Sequence, residues 1–257
     1  MITAHAQLLE LISPDWPAPA NVKALQTTRN GGVSHTPYER LNLGAHVNDD
    51  PIAVAKNRQL LSPYLPSEPV WVNQVHGVDV IDAATSSCLQ NADASFTTKS
   101  NVVCVTMTAD CLPVLLCDQK GTVVAAVHAG WRGLCDGVIE AAVQKMQVPA
   151  REVLVWLGPA IGPNAFEVGD DVRQQFIAKD PRAVSAFKPL ENSQSSGKWL
   201  CDMYSIAKQR LNALGITEIY GASVNEDFCT YTDQERFFSF RRDQVTGRMA
   251  SMIWLAD

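Results

Sequence analysis

The stretch "AVHAGWRGL" (126–134) ends a small apolar run on His128 and then crowds Ala129, Gly130 and Gly133 around Trp131 and Arg132. An imidazole at the end of a buried strand is either a satisfied polar group or a ligand, since its ring nitrogens need partners once out of water. Just upstream, Cys111 opens the apolar run of "TADCLPVLLCDQKG" (108–121). A hairpin turning at "DQKG" through a two- or four-residue loop pairs Cys117 with Thr122, Leu115 with Val124, and Cys111 with His128. Directly opposed side chains have Cβ atoms about 4.5–5.5 Å apart on one face, which a shared metal could bridge. Pro113 complicates this register, because proline cannot donate to a ladder and its nitrogen must face an edge or a bulge. Cys111 could equally be a buried thiol that packs as a small hydrophobe.

A third group stands in "WVNQVHG" (71–77), where alternation sets Val72, Gln74 and His76 on one face and His76 directly before Gly77. Together His76, Cys111 and His128 offer the nitrogen and sulfur donors that zinc prefers, at bonds of about 2.0–2.1 and 2.3 Å. Three protein ligands with an open fourth position suit a catalytic centre better than a structural one. For an anion, Arg132 in the bend beside His128 is one candidate, and Arg29 beside a backbone nest in "RNGG" (29–32) is another. Asp110 reads either as a turn residue or as a carboxylate supporting a ligand. The "RR" at 241–242 reads as a salt-bridged or solvated pair, and His5, His35 and His46 as surface or loop residues.

The elements that must position these groups are legible in outline. "VKALQTTRNGG" (22–32) reads as a strand entering a turn, and "DDPIAVAKNRQLLSPYL" (49–65) as a helix with Asp50 at its N-cap and Pro51 in its first turn. Residues 69–84 read as strand, glycine bend, strand. Residues 101–130 lack polar alternation, so their strands are buried on both faces. Helices are expected over 133–146, 168–178 and 201–215, a strand over 152–163, and an exposed loop over 188–199. Strands and helices mix without strict alternation. The expectation is a single α/β (α+β) domain over residues 1–257, with a mixed, largely antiparallel sheet core flanked by helices.

Composition narrows the function classes. With 257 residues, 46% of them hydrophobic and 19% charged, the chain can fill a large core. Its 21 basic against 27 acidic side chains give a net charge of −6, which disfavours a nucleic-acid or anionic-membrane surface. Seven cysteines lack the spacing of a disulfide framework, and neither a signal peptide nor a membrane span is evident. A cytoplasmic location follows as the expectation.

"QVHG" (74–77), "TADCLPVLL" (108–116) and "VHAGWRG" (127–133) resemble the core motifs of the YfiH-like family, which carries the labels laccase-domain protein, polyphenol oxidase and purine nucleoside phosphorylase. "TRNGGVS" (28–34), "LNLGAHVNDD" (41–50), "GPAIGPNAFEVG" (158–169) and "FFSFRRDQVTGR" (237–248) extend the likeness over nearly the whole chain. The resemblance implies a zinc site on His76, Cys111 and His128. It also implies phosphorolysis of adenosine, inosine and 5′-methylthioadenosine, with some adenosine deamination. Zinc and Arg132 or Arg29 would then position phosphate, and Asn42 and Gln74 would bond the sugar or base. Cu²⁺ is an alternative metal for the same ligands. A multicopper laccase needs roughly ten histidines, and this chain has five. The fold family also resembles the catalytic domain of cytotoxic necrotizing toxins, so a thiol hydrolase or deamidase with Cys111 as nucleophile and His128 as base is the second expectation. A non-catalytic zinc module is the third.

Overall fold

The computed structural model describes residues 9–86, 89–190, 197–221 and 228–257, so His5 and Cys88 lie outside the described residues. A six-stranded sheet runs in the order β12 (Glu218–Gly221), β8 (Val153–Leu157), β6 (Leu112–Asp118), β7 (Val124–Ala129), β4 (Ala94–Thr97), β3 (Val80–Asp82). Its outermost pairs are parallel and its inner pairs antiparallel. A second, antiparallel sheet of four strands is ordered β1 (Leu11–Ile12), β2 (Val22–Thr27), β13 (Met249–Leu255), β5 (Cys104–Thr108). A small sheet joins β10 (Phe187–Pro189), β11 (Lys198–Cys201) and β9 (Glu167–Gly169). The helices are α1 (Pro51–Leu61), α2 (Trp131–Asp136), α3 (Val138–Met146), α4 (Asp170–Lys179), α5 (Met203–Ala213) and α6 (Phe240–Asp243). The expected α/β class with a mixed, largely antiparallel core is what forms.

The central strands are covered on both sides. Val114, Leu116 and Val127 pack with Ile139 of α3 and Leu211 of α5. Leu115, Cys117, Val124 and Ala126, on the other face, pack with Cys104 and Ile253 of the four-stranded sheet. Each fully buried Leu or Val contributes about 1.5–3 kcal/mol relative to exposure. The end of β7 is therefore a rigid platform. By the same alternation, His128 falls on the face turned toward the four-stranded sheet.

The hairpin register differs from the expected one. Leu112 faces Ala129, Pro113 faces His128 and Cys117 faces Val124, so Cys111 does not oppose His128. The cause is Asp118, which extends β6. Its Oδ1 accepts from the Thr122 and Val123 amides at 2.6 and 3.0 Å, and its Oδ2 from the Thr122 hydroxyl at 2.8 Å. The shift is even, so every side chain keeps its face. Pro113 is accommodated at the strand start, where its carbonyl accepts from Gly158 N at 2.9 Å. Its missing N–H thus falls on the β8 side, ahead of the first β6–β8 ladder pair at Val114 and Leu157.

Three further expectations need correction. The helix expected over 133–146 is split at Gly137, whose φ of 106° is left-handed. Residues 69–84 yield one named strand, β3, and isolated bridges at Val70 and Asn73. The loop expected over 188–199 contributes to β10 and β11 at its two ends, and its residues 191–196 lie outside the described ones. Asp50 caps α1 as expected, accepting from Ile52 N at 2.9 Å.

Candidate metal centre

His128, next to last in β7, is 3% exposed, and the group that satisfies it is Asp93, just ahead of β4. The His128 amide donates to the Asp93 carbonyl at 2.7 Å, and the ring Nδ1 lies 2.8 Å from Asp93 Oδ1. A carboxylate only accepts, so Nδ1 carries the proton and Nε2 is left free as a ligand. The same carboxylate gathers the loop of the other histidine. His76 N donates to Oδ1 at 2.9 Å, and Gly77 N and Val75 N donate to Oδ2 at 2.6 and 3.2 Å. This bend holds His76 at a φ of 61° and replaces the strand expected there. Burial pushes the Asp93 carboxyl up, but the His128 ring and the Gly77 and Val75 amides outweigh it and hold it below its ordinary range.

Cys111 is carried by the bend before β6. Asp110, at a φ of 93°, accepts from the Thr230 hydroxyl and from Arg241 N, each at 2.6 Å. It therefore acts on the segment around α6 rather than on a ligand. Cys111 Sγ comes within 3.8 Å of His76 Nε2. The His76 and His128 rings meet edge to face with centroids 4.8 Å apart. Gly130 leaves the room for this. A Cβ there would lie 2.6 Å from His76 Cδ2 and 3.2 Å from Cys111 Sγ. The glycine after the strand is therefore a matter of close approach. Its φ of −65° suits alanine, so Gly130→Ala should fold but push His76 aside. We expect zinc affinity to fall about tenfold or more with little change in melting temperature. Zinc titration and thermal unfolding of the variant check this, and unchanged affinity would remove the packing argument.

The donor set fits a metal ion. The ligand atoms of His76, Cys111 and His128 all lie within 4.8 Å of one another, and among the described residues the cluster has these three members. Tetrahedral zinc with such bonds needs ligand atoms about 3.5 Å apart, so the widest separation of 4.8 Å must close by about 1.3 Å. His128 is buried, Cys111 half-buried and His76 exposed, so the cluster opens on one side. That side is a cavity of about 290 Å³ whose other walls include His46, Gln74, Thr108, Phe240 and Arg248.

A family model described as multi-copper polyphenol oxidoreductase laccase matches residues 23–256. The chain is 54% identical over 246 residues to a purine nucleoside phosphorylase of Pseudomonas aeruginosa, covering 96% of this chain and 98% of that one. The chain belongs to this YfiH-like family. The purine nucleoside phosphorylase YfiH of Escherichia coli is 51% identical over 249 residues, covering 96% of this chain and 99% of the relative. A Neisseria meningitidis protein of known structure superposes with a TM-score of 0.89 at 47% identity, covering 96% of this chain and 99% of that one. The YfiH-like family thus carries two descriptions, and the donor count separates them for this member. Five histidines cannot furnish the roughly ten of a multicopper oxidase.

Beyond the three cluster residues, the cavity of this YfiH-like chain is lined only in part by the expected residues. Gln74 is there, but both ends of its amide are engaged by the Met107 backbone, at 2.7 and 2.8 Å. Asn42 is fully buried and braces the Arg248 backbone, accepting from its N–H at 2.9 Å. Arg29 lies elsewhere, in a cavity with Glu39 and Arg242, bonded to the Glu39 and Gln234 carbonyls. Arg132 is exposed and stacks over the Trp131 ring at 4.5 Å. Arg241 and Arg242 bond carbonyls, and Arg242 pairs with Asp243. His35 is exposed, whereas His46, read as a loop residue, faces the cavity from its loop.

The arginine that does face the cluster is Arg248, near the end of "FFSFRRDQVTGR". Its guanidinium bonds only the Thr246 and Gly247 carbonyls, and no carboxylate pairs with it among the described residues. Its stem lies against Gly44, where a Cβ would come within 2.8 Å of Arg248 Cγ. "LNLGAH" (41–46) therefore serves this arginine. Asp93 and Arg248 are the residues that sequence reasoning passed over.

Proposed function

We propose that this chain is a zinc-dependent purine nucleoside phosphorylase, with His76, Cys111 and His128 as the zinc ligands. The observation that carries this reading is the three-donor cluster opening onto a cavity that also holds an arginine without a carboxylate partner. When bound there, zinc supplies positive charge and Lewis acidity in an open coordination position; Cu²⁺ would fit the same donors. Asp93 keeps His128 in the tautomer that leaves Nε2 free. Arg248 binds phosphate, in place of the Arg132 and Arg29 expected from sequence. A phosphate oxygen bonds to the anomeric carbon as the glycosidic bond breaks, and that electron pair leaves with the base, which takes up a proton. Gln74 and Asn42 act as positioning residues, holding the Met107 strand and the Arg248 backbone.

The proposed substrates are adenosine, inosine and 5′-methylthioadenosine, with adenosine deamination as a side reaction in which water adds at C6 and ammonia leaves. The names of the relatives support the reaction class. The free cysteines Cys104, Cys111, Cys117, Cys135, Cys201 and Cys229 support a reducing, cytoplasmic setting. Among the described residues no helix is long and apolar enough to cross a membrane.

The test is phosphate dependence. Inosine should yield hypoxanthine and ribose 1-phosphate only when phosphate is present. In Arg248→Gln the KM for phosphate should rise about 10- to 100-fold, the worth of a charged hydrogen bond, while the KM for inosine changes far less. Base release that is equally fast without phosphate would make the protein a hydrolase.

One observation favours a second reading. Asp93, His128 and Cys111 also form a carboxylate–imidazole–thiol relay, the layout of a thiol hydrolase. The two readings part on metal removal.

A further inference from the structure

A second, smaller cavity of about 160 Å³ lies against the first, and the two share Ala109, Cys111 and Phe240 as walls. Their characters differ. The larger one is lined by imidazoles, an amide, a hydroxyl and a guanidinium. The smaller one is closed mainly by Trp131, Ile161, Phe166, Met203 and Phe240. We propose that this apolar cavity is the seat of the purine ring, the sugar resting at the threshold formed by Cys111 and Phe240. The assignment rests on the nucleoside reading above.

A nucleoside divides in the same way, into a hydroxylated sugar and a flat base with apolar faces and hydrogen-bonding edges. The cavity has room for one bicyclic ring, being smaller than a site for a whole drug-sized ligand. Aromatic rings suit its faces, since every base has a π-face that stacks on such a ring. The walls are fixed, since Ile161 is 1% and Met203 2% exposed, whereas Phe240 stands at the mouth at 49%. The polar groups fit as well. Both Asp110 oxygens are engaged, by Thr230 and by Arg241 N. The Arg241 guanidinium, over the Phe166 ring at 5.3 Å, donates to the Glu167 carbonyl through one nitrogen and has further donors. The spare Arg241 donors match the acceptor nitrogens of a purine edge, and each Asp110 oxygen already holds one donor of the protein's own. The arrangement also serves the chemistry. With the base on one side of the threshold and Arg248 on the other, phosphate approaches the anomeric carbon from the side opposite the leaving base.

The test uses the zinc-loaded protein, with hypoxanthine as the probe of base binding. Ile161→Phe fills the cavity and should raise the KM for inosine and the Kd for hypoxanthine about tenfold or more, with the KM for phosphate within about threefold. Hypoxanthine should quench tryptophan fluorescence in the wild type. Trp131→Phe should lose most of that quench while its calorimetric affinity stays within about threefold. Should Ile161→Phe fail to fold, the quench alone decides. An undiminished quench in Trp131→Phe, or unchanged inosine KM and hypoxanthine Kd in folded Ile161→Phe, with phosphorolysis intact, places the base elsewhere and leaves the phosphorylase reading standing. A folded, zinc-loaded wild type that neither phosphorolyses inosine nor binds hypoxanthine overturns both.

Discussion

Chelation should reduce nucleoside turnover by about a hundredfold or more, and zinc added back should restore it, because ligands and metal form one unit. The same experiment reads Cys111 directly. Without metal, burial raises this thiol, but the His128 and His76 rings outweigh burial and bring it down to about 6. The thiolate is the reactive form, so alkylation of the metal-free protein should rise as pH passes 6 and level off by about pH 7, well below an ordinary thiol near 8.5. Burial pushes Cys104 and Cys117 up to about 12, which keeps them silent in this range. Zinc-loaded protein should alkylate slowly at every pH where the metal stays bound. Mass spectrometry of the modified cysteine and the turnover rate are measured on the same samples. Undiminished turnover in fully stripped protein would falsify the zinc reading and promote the thiol relay.

What could be read from the sequence tracks how local the determining contacts are. Asp50 starts α1 by accepting from the Ile52 amide two residues on, and Pro51 by its ring, while the absence of polar alternation in 101–130 reports burial on both faces. Both are one-dimensional signals. The hairpin register was not legible, because Asp118 reads as a turn residue until its carboxylate is seen closing on Thr122 and Val123. "WVNQVHG" alternates like a strand, yet three of its amides turn to Asp93, a residue 16 to 18 positions away. Local propensity yields there to a buried charge that needs donors. The three residues of the donor cluster were legible because histidine and cysteine at strand ends are chemically unusual. The arginine was not. Arg29 and Arg132 stood beside glycines, where anion sites are expected. Arg248 reaches the cavity only because β13 enters the sheet between β2 and β5 and its backbone is braced by Asn42.

Asp93 is the residue whose loss should cost the site most after the ligands themselves. Its two oxygens take four bonds, from Val75, His76 and Gly77 amides and from His128 Nδ1. Asparagine has nearly the same shape but only one accepting oxygen. If its NH₂ sits where Oδ2 was, it confronts the Val75 and Gly77 amides, and the bend that holds His76 loses its anchor. If it sits where Oδ1 was, it can meet His128 only in the other tautomer, with the proton on Nε2, where it blocks ligation. Either orientation removes one histidine from the metal. Asp93→Asn should therefore lower zinc affinity about 10- to 100-fold, and turnover should remain depressed even at saturating zinc. A merely structural role predicts a different pattern, namely lower melting temperature with normal affinity in whatever fraction stays folded. Competition with a chromophoric chelator, run beside thermal unfolding, tells the two apart. Zinc affinity and saturated turnover both at wild-type level would show that the carboxylate orients neither histidine.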